Sequence, residues 1–204
     1  MGTAVAATGH AESHDGIDHD HKVRLGMLFY VLTDATFVVF LLVSYIWLRA
    51  YNTDGGWFPF KGMQLPDPTT SFILVVLMVL SGVCYFAAYR GVRSGNQSVL
   101  KFGLLVALIL LIVTLVWQIR FLGQQQFGTN DGTFADMFIL LGGYHVYHMI
   151  LGLFMGIGVT NRAFQGRYTA DRHLGIVTIG YFWYWMALMP VVVAIMMAVL
   201  PPRI

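Results

Sequence analysis

The sequence predicts an all-α integral membrane protein, a bundle of five transmembrane helices (25–204) behind a polar tail (1–24). Three observations carry that expectation. Hydrophobic residues make up 57% of 204 and charged residues 11%, with mean hydropathy +0.69, where a soluble domain carries about 25% charge. Five long stretches lack Lys, Arg and Glu, and only one Asp interrupts them. Basic residues, finally, are unevenly divided between alternate loops.

A bilayer crossing takes about 20 apolar residues at a helical rise of about 1.5 Å each. The first expected span, Leu25–Leu48, holds Asp34 as its one charge. It is too long for a cleavable leader, lacks a small-residue cleavage site after it, and follows a polar tail, so it stays as a helix. The tail interleaves His10, His14, His19 and His21 with Glu12, Asp15, Asp18 and Asp20. A weak divalent-cation site, a surface patch that collects protons, and a solvated unstructured tail all fit that composition, and the last is the plain expectation.

The second span, Pro68–Tyr89, contains the only cysteine, Cys84, which excludes an intrachain disulfide and a paired thiol metal site. The third is Phe102–Ile119. The fourth, Met137–Asn161, carries His145 and His148 three residues apart and so on one side of a helix. The fifth, residues 173–200, is long enough to tilt, holds the aromatic run Tyr181, Trp183, Tyr184 and Trp185, and contains Pro190, which is expected to kink it. The aromatics read as packing or an interfacial belt. Small residues at Ser81-Gly82, Gly142-Gly143, Gly152, Gly156 and Gly158 predict close helix contacts.

Five crossings place the N-terminus, the second loop and the fourth loop on one side. That side holds Lys22, Arg24, Arg90, Arg93, Lys101, Arg162, Arg167 and Arg172; the other holds Arg49, Lys61, Arg120 and Arg203. The excess of positive charge predicts a cytoplasmic N-terminus and a periplasmic C-terminus.

Composition also excludes function classes. Twelve basic against ten acidic residues, net +2 with no basic block, offer no footprint for nucleic acid. Glu12 is the one glutamate, which argues against paired-carboxylate hydrolysis. An ionisable residue inside a membrane is a functional candidate by default. Asp34 reads either as a carboxyl lining an internal cleft, able to take a proton or face a lipid headgroup, or as an acid tying neighbouring helices together. Its neighbour Thr33 offers a hydroxyl.

The histidine pair invites a haem or metal reading. His173, the other candidate near a span, starts the fifth helix at the cytoplasmic edge, whereas His145 lies about 24 Å from the cytoplasmic end of its own helix. A closed zinc or copper site needs three or four ligands, and no carboxylate or thiolate accompanies the pair. Hydrogen bonding between helices by neutral imidazoles is the expected role, and no metal or cofactor site is expected in this chain. A haem-binding cytochrome and a small transporter are the rival readings; the sequence shows no internal repeat of the kind many transporters carry.

Further residues carry a resemblance. Gly26, Met27, Phe29, Thr33, Asp34 and Phe37 follow the pattern G-M-x-x-F-x-x-S-E-x-x-F-F, with aspartate for glutamate. Gln118, then Asp131, Gly132 and Phe134, then Phe138, Gly143, Tyr144, His145, His148 and Gly152 follow Q-x-x-E, D-G-x-Y/F and F-F-x-x-T-G-F-H-G-L-H-V-x-x-G in register. Over most of its length the chain resembles subunit III of the haem–copper oxidases, in the five-span form of bacterial cytochrome c and quinol oxidases. It departs from the pattern at several positions. Phe121 replaces a second intramembrane glutamate, Val146 and Tyr147 replace the Gly-Leu between the histidines, and Tyr184, Ala187 and Pro190 replace His, Asp and Trp after Trp183.

The resemblance implies a non-catalytic accessory subunit of a respiratory terminal oxidase. Haem and copper would reside in the partner subunits, and this chain would hold phospholipid in a cleft. It would pack directly against oxidase subunit I and meet the other subunits, within a respiratory supercomplex where one exists. The implied roles are stabilising subunit I, supporting proton uptake and giving lipid and oxygen access, with Asp34, Gln118, His145 and His148 as the polar core. Cytochrome c or quinol would serve as donor to the complex, and an accessory subunit of a nitric-oxide-reductase-type assembly is the alternative. Two further leading spans of the longer mitochondrial form are missing, which points to a bacterial inner membrane.

Overall fold

A computed structural model describes residues 9–52, 56–57 and 62–200, with side chains from residue 19 onward. Five helices follow in order: α1 (Gly9–Ala50), α2 (Pro68–Arg93), α3 (Gln97–Gly123), α4 (Thr133–Phe164) and α5 (Leu174–Val199). Among the described residues there is no strand, and every helix contains a segment long and apolar enough to cross a membrane.

Most of these helices outrun the apolar stretches that predict them. A helix keeps its backbone hydrogen bonds through the headgroup layer until a cap releases it, so charge marks the bilayer edge and caps mark the helix end. At the start of α2, Asp67 accepts from the amides of Thr69 (3.2 Å) and Thr70 (2.9 Å), with Pro68 in the first turn. Between α2 and α3, Ser94, Gly95 and Asn96 make the whole connection. Gly95 takes a left-handed φ of 74°, and the Asn96 side chain accepts from the Val99 amide at 3.1 Å. The first helix reaches back through the polar segment to Gly9. Of the tail histidines, His19 and His21 are exposed, and the side chains of His10 and His14 lie outside the described residues.

The α2–α3 pair is the most closely packed. A Cβ at Gly103 would come within 2.9 Å of the Ala88 side chain and the Cys84 carbonyl, so the two backbones nearly touch there. Ser81 crosses the same seam, donating to the Ala107 carbonyl at 2.8 Å and accepting from the Trp183 indole at 3.1 Å. Further along α4, Gly152 and Gly156 receive Met186 and Trp183 of α5. Gly143 and Gly158, by contrast, face open space. The fifth helix lies between α1, α2 and α4, while α1 seats against α5 and, over a shorter stretch, α4.

An aromatic core closes the end opposite the N-terminus. Trp57 packs edge-on to Tyr45 and Phe134, and Phe127 and Phe121 pack on Phe138. The amides of Thr133 and Phe134 donate to the carbonyls of Gly56 and Trp57, fastening the first loop to the start of α4. Phe121, at the position of a patterned glutamate, is therefore core.

Candidate functional site

Asp34 stands at the middle of the long α1 span, His148 at the middle of α4 and Trp185 near the middle of α5. Antiparallel crossing brings these midpoints to one depth. Three polar groups from two helices converge on the carboxyl. The Tyr144 hydroxyl donates to Oδ1, the Trp185 indole N–H donates to Oδ2, and His148 Nε2 lies 3.0 Å from Oδ1. The imidazole is fully enclosed and the carboxyl side chain is 10% exposed. His148 is sandwiched by rings, stacked on Phe182 and met edge-on by Tyr147.

His148 Nδ1 lies 2.8 Å from the Tyr144 carbonyl, which only accepts, so Nδ1 is the donor. Nε2 and Oδ1 would oppose bare lone pairs unless a proton lies between them. Acid and imidazole together are therefore neutral, whether as carboxylic acid beside imidazole or carboxylate beside imidazolium. A neutral pair is far cheaper at mid-bilayer than a lone charge.

His145 turns the other way. Its Nδ1 lies 3.1 Å from the Gln118 side-chain oxygen on α3, and the Gln118 amide nitrogen reaches back to the Gly142 carbonyl at 3.4 Å. Its Nε2 lies 3.3 Å from the Met186 carbonyl on α5. That carbonyl is the one Pro190 deprives of a helical donor, four residues on. A cavity of about 110 Å³, with room for several waters, adjoins this group and is lined in part by Gln118, Tyr144, His145 and Pro190.

All four predicted polar residues thus lie in two adjacent knots, Asp34 with His148 and Gln118 with His145. The two histidines share a helix side but serve different neighbours. Thr33 does not join Asp34; its hydroxyl bonds back to Phe29 of its own helix at 2.9 Å. Tyr144, Trp185 and Pro190 join the site beyond the patterned, packing and kinking roles their sequence positions suggested. Trp185 had a readable signal, since a buried indole N–H requires an acceptor and Asp34 is the acid at that depth. Pro190 had one too, because an internal proline always frees a carbonyl four residues earlier. The aromatic run on α5 is therefore more than packing.

Every ring nitrogen of His145 and His148 already faces a protein oxygen, so metal ligation by either would first break these bonds. Among the described residues, no three His, Cys, Asp or Glu side chains gather as a ligand set.

Comparison with known proteins adds an independent line. A sequence model of the family described as cytochrome c oxidase subunit III matches residues 4–199. The chain is 24% identical over 175 residues to a protein of Cyanidium caldarium named cytochrome c oxidase subunit 3, covering 82% of this chain and 65% of the relative. It is 24% identical over 188 residues to a probable cytochrome c oxidase subunit 3 of Rickettsia prowazekii, covering 83% and 67%. For the protein of that name in Arabidopsis thaliana the figures are 22% over 174 residues, 82% and 66%. The chain spans about two thirds of the length of these relatives.

Proposed function

Because the chain belongs to the cytochrome c oxidase subunit III family, we propose that it is the accessory subunit III of a respiratory terminal oxidase in a bacterial inner membrane. The observation that carries this reading is the closed polar knot around Asp34, a mid-bilayer acid matched with a histidine and tied to two further helices. Chemistry on oxygen needs open coordination positions or a bound group, and here the candidate ligands are engaged with one another. Haem and copper, with the electron transfer they support, belong in this reading to the partner subunits, whether cytochrome c or quinol is the donor.

The role that remains is support. The chain packs against subunit I and holds phospholipid along its exposed apolar faces. Its N-terminus lies on the cytoplasmic side, in keeping with eight basic residues there against four opposite. The neutral Asp34–His148 pair, which holds a shared proton near the lipid face of α1, supports a part in proton uptake.

Asp34→Ala in the assembled oxidase tests this. Haem content should stay normal while proton uptake slows or the enzyme inactivates sooner during turnover. Unchanged uptake together with an unchanged working lifetime would reduce Asp34 to a packing residue. Purification of the wild-type chain without any haem-bearing partner would remove the reading altogether.

A further inference from the structure

His145 faces two oxygens with its two ring nitrogens. Nε2 lies 3.3 Å from the Met186 carbonyl, and Nδ1 lies 3.1 Å from the Gln118 side-chain oxygen. A neutral imidazole carries one N–H, so one of these contacts would set a bare nitrogen against a lone pair. A protonated ring would donate to both oxygens, but it would stand as an unmatched charge near mid-bilayer, because Asp34 already has His148.

The Met186 carbonyl decides where the single proton sits. Pro190 has no N–H to give it, and Met186 is fully buried, so this oxygen depends on the ring for a donor. Nε2 therefore holds the proton, and Nδ1 is an acceptor. Of the two groups that end the Gln118 side chain, only the amide nitrogen can serve it.

We propose that the Gln118 amide donates to His145 Nδ1, a half-turn from the orientation that sets its oxygen there, and that a water molecule bound in the adjoining cavity completes the arrangement. The half-turn carries the Gln118 oxygen to the place of its nitrogen, 3.4 Å from the Gly142 carbonyl. Two oxygens at that separation call for a donor between them. Among the described residues that line the cavity, the Tyr144 hydroxyl is spent on Asp34 and the Ser71 hydroxyl on the Asp67 carbonyl. The other lining residues, apart from Gln118 and His145 themselves, carry no side-chain donor, and helical backbone amides are spent on their own ladders. A water brings two protons, one for each oxygen. The cavity offers about 110 Å³, and a water takes about 30 Å³ in the liquid. Bound there, it ties α3 to α4 and extends the line that runs from the Pro190 break through His145 and Gln118. The site stands apart from the accessory-subunit reading and does not depend on it.

Nuclear magnetic resonance tests both halves, on the full chain labelled with the heavy nitrogen isotope and kept in native lipid with the subunits it copurifies with. Gln118→Glu identifies the amide resonances by their loss. The expected spectrum shows His145 neutral with its proton on Nε2 and a nitrogen–nitrogen coupling between Nδ1 and the Gln118 amide, which an oxygen at that place cannot give. Magnetisation from water should reach the Gln118 amide several-fold more efficiently than it reaches the Trp183 indole, which is buried and bonded to Ser81. A proton on Nδ1, a doubly protonated ring or an absent coupling would overturn the placement of the amide and the water with it. Transfer from water no greater than at Trp183 would overturn the water site.

Discussion

Nε2 of His145 on α4 faces the carbonyl oxygen of Met186 on α5 at 3.3 Å, filling the vacancy that Pro190 makes in the α5 ladder. A helix break and an intramembrane histidine thereby answer each other. Pro190→Ala would restore an N–H to compete for that carbonyl and make His145 less needed. His145→Ala should therefore destabilise the native chain by about 1 kcal/mol more than it destabilises the Pro190→Ala background. A double-mutant cycle from reversible unfolding in detergent measures the coupling, and additive effects would mean the contact carries none.

Asp34 accepts from Tyr144 and Trp185 and shares a proton with His148, so its loss should rank by what replaces it. Asp34→Ala leaves the Tyr144 hydroxyl, the Trp185 indole and the His148 ring without their oxygen, an expected cost of about 3 kcal/mol or more. Asp34→Asn keeps one oxygen and should fall between alanine and the native acid. Thermal unfolding of the three purified proteins checks the order.

Ser81 relays between two groups, and the relay predicts non-additivity. Ser81→Ala strands the Trp183 N–H in a buried seam and should cost about 1–3 kcal/mol. With Trp183→Phe already in place, the same change should cost distinctly less, because no donor is left behind. Unfolding midpoints of the single and double variants decide this.

Two glycines should respond oppositely to alanine. At Gly103 a methyl would meet the Cys84 backbone oxygen and Ala88 at 2.9 Å, so Gly103→Ala should destabilise by about 1–3 kcal/mol. At Gly158 nothing lies within 4 Å, and Gly158→Ala should stabilise by about 0.5–1 kcal/mol through helix propensity. The same unfolding assay reads both.

The cap on α2 gives a pH effect outside the membrane. Bonds from the Thr70 hydroxyl and the Thr70 and Thr69 amides hold the Asp67 carboxyl below its ordinary value of 3.8. A depressed carboxyl stabilises the folded form above its ordinary value and loses that contribution as pH falls through the lowered one. Exchange protection of the Thr69 and Thr70 amides should thus persist at pH 5 and fade below about pH 3.8, and Asp67→Ala should abolish this dependence.

How far the sequence could be read differs between the fold and the site. All five crossings are legible because apolar length is a bulk property that no tertiary contact overrides. Their ends are not, since Asp67 and Asn96 start helices and Gly95 follows the end of one by local geometry, while the apolar runs end at charges. Asp34, His145 and His148 stand out as polar groups in an apolar slab. Their partners do not, because Tyr144 and Trp185 belong to residue types that membranes recruit for packing, and only matching depths across helices pairs them. The divergence of His145 from His148 follows from which helices flank α4, which periodicity along one chain does not encode.

The seating of α1 on the last two helices has a consequence for how the polypeptide matures. Asp34 leaves the ribosome well before Tyr144, His148 and Trp185 exist. During that interval α1 waits in lipid with an unanswered acid, and it acquires its three partners only once α4 and α5 have been threaded through the translocon. A chain interrupted before Trp185 would keep that acid incompletely satisfied.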